Sequence, residues 1–256
     1  MIGAHSPEFP FEHDIEKVRP ALEAMGVHFP IAIDNDFEVW RAFDNNYWPA
    51  LYFADAQGQI RHHHFGEEDY ERSESVIQQL LTEAGLNGFD DDLVSLEPEG
   101  VEVAADWETL GSPETYVGYA RAQNLASAGG VVSDEPNVYV APPELDLNQW
   151  SLSGDWTVGR QTTVLNGADG RIAYRFHARD LNLVLGAEGS PVRFRLLLDG
   201  RPPSAAHGLD ADERGEGTVA DARLYQLVRQ PGAVADRLFE ITFLDAGAQA
   251  YVFTFG

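Results

Sequence analysis

The feature that most restricts how this chain can fold is a change of hydrophobic period partway along it. Beyond Pro113 the apolar residues recur at every second position in short runs, as where Ile172, Tyr174 and Phe176 alternate with Ala173, Arg175 and His177. Period two is what a strand with one buried and one wet face needs. Runs of this kind cover 137–140, 156–158, 171–177, 181–185, 192–198, 223–228, 237–244 and 249–255, separated by Gly, Pro, Asp and Asn. That many short strands with turn residues between them predict an antiparallel β-sandwich or jelly roll over 113–256.

Before Gly85 the pattern is mixed α/β. A helix is predicted over 12–25, with Ile15, Val18, Leu22 and Met25 at helical spacing and Gly26 as its stop signal. A short apolar run at 29–33 follows. Asp34-Asn35-Asp36 can cap a second helix that carries Phe37, Trp40 and Phe43 on one face. Residues 50–54 and 59–65 read as a hairpin turning through Asp55–Gly58, and Asp69 opens a last helix whose stripe is Val76, Ile77, Leu80 and Leu81. Residues 86–112 are acidic and loop-like, with Asp90-Asp91-Asp92 and Glu97-Pro98-Glu99-Gly100, and are expected to be a linker holding one short strand at 101–103. The domains so expected are 1–85, the linker 86–112, and 113–256.

Charge narrows the partners. Against 42 acidic residues stand 17 basic ones, for a net charge of −25. Residues 1–110 hold 5 basic and 24 acidic side chains (−19), and 111–256 hold 12 and 18 (−6). Such a surface repels phosphate backbones and anionic headgroups, so no nucleic-acid partner is expected. No apolar run approaches the roughly 20 residues of a membrane helix, so no membrane insertion is expected of these residues. Met1 to His5 has neither the basic start nor the apolar stretch of a signal peptide.

The absence of cysteine excludes disulfides, thiolate metal sites and cysteine nucleophiles. There is no glycine-rich phosphate loop, Gly-X-Ser-X-Gly elbow or His-Glu-X-X-His motif, and no cofactor is expected. His62, His63 and His64, followed by Glu67, Glu68 and Asp69, offer metal-ligating chemistry at strand spacing, but a solvated strand face explains them as well and no metal site is assigned. Asp90–Asp92 is likewise read as solvated linker and not as a Ca²⁺ loop. In the second half Trp150, Trp156, Tyr139, Tyr174 and Tyr225 can stack on the apolar face of a sugar or fill the core. Trp150 and Tyr139 are the sugar-binding candidates, because Asn137, Asn148 and Gln149 lie beside them in turn-rich segments.

Tyr47-Trp48-Pro49-Ala50 stands just before a strand of the α/β half. Together with Ile2-Gly3-Ala4-His5-Ser6-Pro7-Glu8-Phe9, the Asp34–Asp36 cap, Asp55–Gly58 and His62–Glu67, it resembles the thioredoxin-like domain of the TlpA/DipZ group of redoxins. Ser112–Tyr116, Trp150–Trp156, Arg171–Asp180 and the closing Phe253–Gly256 are similar to the β-sandwich, itself like carbohydrate-binding modules, that follows in DipZ-type proteins. The resemblance implies a thiol–disulfide oxidoreductase of the cell envelope, of the cytochrome c biogenesis type. It also implies an extracytoplasmic location, protein thiols and disulfides as substrates, and carbohydrate as a second partner. Those proteins work through Trp-Cys-X-X-Cys at a helix N-terminus, which lowers the thiol pKa. That motif is missing here, so the resemblance implies an N-terminally incomplete thioredoxin-like domain whose first strands and cysteines lie upstream of Met1. What it leaves is a substrate-facing loop with a cis peptide bond, Trp48-Pro49, beside the neighbouring loop with His5 and Glu8. No catalytic residue is assigned, and redox inactivity of the chain as given follows. The alternative is a non-enzymatic module that binds glycan or protein.

Overall fold

The computed structural model describes residues 1–86, 88, 92–95 and 97–256. They form two compact units, Met1–Glu99 and Gly100–Gly256. Asp90 and Asp91 of the acidic cluster lie outside the described residues.

The first unit runs β1 (Gly3–His5), α1 (Ile15–Ala24), β2 (Ile31–Ile33), α2 (Glu38–Ala42), β3 (Ala50–Ala54), β4 (Ile60–Phe65) and α3 (Tyr70–Glu83). α1 begins later than its apolar spacing suggests. Pro10–His13 forms a 3₁₀ turn, and the Asp14 carboxylate caps the helix by accepting from the Glu16 amide at 3.0 Å. β1 and β2 pair in parallel, Gly3 opposite Ile31 and His5 opposite Ile33. A Cβ on Gly3 would press on the end of the Ile31 side chain, so a larger residue there would have to displace that side chain. β3 and β4 form the expected hairpin, with Ala50 opposite Phe65 and Phe53 opposite His62. The two small sheets share no ladder. Phe9 and Val18 are the only buried side chains of the larger apolar types in this unit among the described residues.

The second unit is almost wholly β. It comprises β5 (Thr115–Tyr116), β6 (Pro136–Tyr139), β7 (Trp150–Val158), β8 (Thr163–Leu165), β9 (Gly170–Phe176), β10 (Asp180–Ala187), β11 (Val192–Leu198), β12 (Glu216–Val219), β13 (Arg223–Arg229), β14 (Arg237–Phe243) and β15 (Ala248–Phe255). All pair antiparallel in one eleven-stranded sheet, in the order β12-β11-β14-β9-β7-β8-β15-β10-β13, with β5 on β15 and β6 on β7. β7 is where the sheet curls. Trp150–Ser153 pair with β9 and Trp156–Val158 with β8, while Gly154 between them takes φ +100. The curl brings together rings from strands that are not neighbours: Tyr174 and Phe253 at 5.0 Å, Phe239 and Phe253 at 6.2 Å, Trp156 and Phe243 at 5.9 Å. The core sits inside this curl, each fully enclosed large apolar side chain contributing about 1.5–3 kcal/mol.

Part of the stretch expected as a linker, 86–112, falls within the second unit, which begins at Gly100. Residues 100–112 are fastened to the second unit: Gly111 N–H donates to the His177 carbonyl at 2.8 Å, and the Ala104 and Gly100 carbonyls accept from Arg179 and Arg229. The strand expected at 101–103 is a 3₁₀ turn, Gly100–Glu102. Two valines resemble a strand locally, but among the described residues no strand pairs with them.

Candidate functional site

The loop from Phe43 to Pro49 joins α2 to β3, and its Trp48–Pro49 peptide bond is cis. What positions it begins at Asp34. This carboxylate is 4% exposed and accepts from the amides of Val39 and Trp40, each at 2.9 Å, and from the Ser6 hydroxyl at 2.8 Å. It thereby caps α2 from outside the helix and ties the end of β1 to the end of β2. Burial pushes the Asp34 carboxyl up, but donation from Trp40, Val39, Ser6 and Glu38 outweighs it and holds the group below its ordinary value. α2, so fixed, places Trp40 against Trp48 with ring centroids 4.2 Å apart. The Trp48 indole N–H then donates to the Ser6 carbonyl at 3.0 Å, closing the circuit.

Beside it, Tyr47 stacks on Phe65 at 4.7 Å, and Tyr52 packs on Phe43 at 4.8 Å while its hydroxyl donates to the Asn45 side chain at 3.1 Å. Burial, with the nearby Asp44 charge, raises the Tyr52 pKa. Tyr47 is nonetheless 53% exposed and Trp48 44% exposed, so the loop offers two aromatic faces to solvent. β3 next to it pairs with β4 along one edge only. Two exposed rings therefore stand beside a strand with one edge outside any ladder. The site holds no activated nucleophile: Ser6 donates to a carboxylate whose lowered pKa makes it a poor proton acceptor, and there is no cysteine.

Of the neighbouring loop, Ser6 meets Trp48, whereas His5 and Glu8 turn to Glu12. The His5 Nε2–H donates to the Glu12 carbonyl at 3.1 Å, and the Glu8 backbone amide donates to the Glu12 carboxylate at 2.6 Å. Capping logic reaches Asp34 but not its pairing with Ser6, which joins two loops 28 residues apart. The histidine run is spread along β4, with His62 on the Phe53 ring and His63 on Phe65. Among the described residues no three His, Asp or Glu side chains converge as a metal would require.

The sugar-binding candidates are corrected by the structure. Trp150 is 0% exposed and Tyr139 2% exposed. The Trp150 indole donates to the Gln123 carbonyl at 2.7 Å, and the Tyr139 hydroxyl is engaged by the Val132 backbone at 3.1 Å. Trp150 reads as a turn residue from its neighbours, but its backbone begins β7 opposite Tyr174, which turns the indole into the core. Neither ring can stack on a ligand.

A family model described as the thioredoxin-like C-terminal domain matches residues 112–256. The chain is 32% identical over 223 residues to Protein DipZ of Mycobacterium bovis and of Mycobacterium tuberculosis, covering 84% of this chain and 31% of each relative. It therefore spans about a third of the length of those proteins. It is also 29% identical over 83 residues to the thiol-disulfide oxidoreductase YkuV of Bacillus subtilis, covering 32% of this chain and 56% of YkuV.

Proposed function

This chain belongs to the thioredoxin-like C-terminal domain family and is a thioredoxin-like protein of the DipZ/TlpA type; from that premise we propose that it is part of a thiol–disulfide oxidoreductase of the cell envelope. In this reading its first unit holds the substrate protein and its own residues move no electrons. The observation that carries the proposal is the exposed Tyr47–Trp48–Pro49 loop, fastened to Ser6 beside the single-paired strand β3. An extended peptide can lay its backbone along that strand and its side chains against the two rings. The thiol pair that exchange chemistry requires is not among these 256 residues, and the attacking species in such exchange is a thiolate. Another polypeptide segment supplies it. An extracytoplasmic location accords with this reading, and no helix among the described residues is long and apolar enough to cross a membrane. Glycan binding through Trp150 and Tyr139 forms no part of it.

Two measurements test it together. Insulin reduction by dithiothreitol should proceed at its background rate when the pure chain is added. An extended peptide carrying a disulfide should shift the Trp48 indole N–H resonance and the amides of residues 50–53, and Trp48→Ala should weaken that response roughly tenfold. Turnover by the chain itself, or a peptide response elsewhere than this loop, would sink the proposal.

A further inference from the structure

Within the second unit an open surface hollow of about 350 Å³ lies beside Arg179, Arg229 and His207, with the half-buried Val103 and the exposed Ala205 and Pro231 among its apolar lining. Its charge is set by one carboxylate between two guanidinium groups. Asp180, 3% exposed, accepts from Arg229 Nε on Oδ1 at 2.6 Å. On Oδ2 it accepts from Arg179 Nε at 2.9 Å, Arg179 Nη2 at 2.6 Å and Arg229 Nη2 at 3.1 Å. The two Nη2 groups also donate to the Ala104 and Gly100 carbonyls, at 2.7 and 3.0 Å. Nη1 of each arginine has no acceptor among the described residues.

Two guanidinium groups on one carboxylate leave one positive charge in excess, in a chain whose net charge is −25. A staple that merely held residues 100–104 to β10 and β13 would need a single arginine for charge balance. The second brings a desolvation cost, because both side chains are mostly buried, at 23% and 28% exposed. The excess charge, the unspent planar donors and the apolar walls together describe a receptor for a planar anion with a compact apolar body. We propose that this hollow binds a small organic carboxylate, its oxygens on the Nη1 groups of Arg179 and Arg229 and its apolar part against Val103, Ala205 and Pro231.

Benzoate is the probe, with its uncharged isostere benzamide and with sulfate at matched ionic strength as comparisons, titrated into the full chain by calorimetry and by NMR of the arginine side chains. Benzoate should bind roughly tenfold or more tightly than benzamide, with the Arg179 and Arg229 Nε signals moving. Ala205→Phe, which puts a ring into the space beside the arginines from an exposed position, should abolish benzoate binding, with the melting temperature checking that the fold survives. Equal binding of benzamide, or no binding of benzoate, overturns the proposal. Sulfate binding as well as benzoate overturns the assignment to carboxylates. Should Ala205→Phe fail to fold, contacts between the benzoate ring protons and Val103 and Pro231 in the unmutated chain decide the matter, and their absence also overturns it.

Discussion

At the scale of single residues, Asp34 does the most to build the candidate site. One carboxylate caps α2, holds Ser6 and so sets the carbonyl that the Trp48 indole reaches. Removing it leaves two helix amides and a hydroxyl without their acceptor, so Asp34→Ala should destabilise the first unit by about 1–3 kcal/mol. Asp34→Asn, which keeps one acceptor oxygen, should cost less. The pH dependence follows from the lowered pKa. The folded state prefers the ionised carboxylate, so its contribution is complete above the ordinary carboxylate value near about 4 and is lost as pH falls through the depressed folded value. Hydrogen exchange of peptides spanning 29–52 across acid pH should show this loss in the natural chain, and Asp34→Asn should lack the contribution at every pH. Identical acid profiles for the two would remove Asp34 from this role.

At the scale of elements, the turning point is β7, which serves two stretches of the sheet because Gly154 takes a backbone conformation that L side chains rarely adopt. A Cβ there would also stand 3.1 Å from the Gly170 backbone. Gly154→Ala should therefore destabilise the second unit by about 2 kcal/mol, read as a drop of several degrees in its thermal transition. An unchanged transition would mean that the curl does not depend on this residue. How much was legible in the sequence follows from the same strands. β9, β11, β13 and β14 match their alternating runs to within a residue or two, because each has one face inside the curl. β5, β8 and β12 were missed, since two to four residues carry no measurable period and their pairing is decided by distant partners. The first half of β7 was missed for a related reason: Trp150 follows Asn148 and Gln149, and only its pairing with β9 shows which way it turns. In the candidate site, Trp48 and Pro49 were found through a family resemblance and Asp34 through capping logic. The Asp180 cluster joins residues from strands far apart in sequence, a juxtaposition that only the fold reveals.

At the scale of the whole molecule, stability is unevenly distributed. In the second unit Tyr174, Phe176, Phe239, Phe243 and Phe253 are all essentially unexposed, whereas among the described residues the first unit encloses only Phe9 and Val18 of its larger apolar side chains and leaves Ile2 79% and Trp48 44% exposed. Its two small sheets share no ladder, so each has edge groups that no partner strand satisfies. Residues 1–99 also hold 21 acidic and 5 basic side chains, −16 of the net −25, and that self-repulsion opposes compaction of the first unit. Residues 1–86 should therefore open at a free energy at least about 3 kcal/mol below that of β9, β10, β14 and β15, roughly a hundredfold in exchange rate. Salt should narrow the gap from one side: at about 0.5 M the Debye length falls to a few ångströms, which relieves repulsion in the first unit and does little for the core of the second. Native-state hydrogen exchange of the full chain at low and high salt reads both effects in one experiment. Uniform protection of the two units at low salt would show that the first unit is held by something other than its buried side chains. A gap indifferent to salt would show that thin burial alone, and not charge, makes it the weaker one.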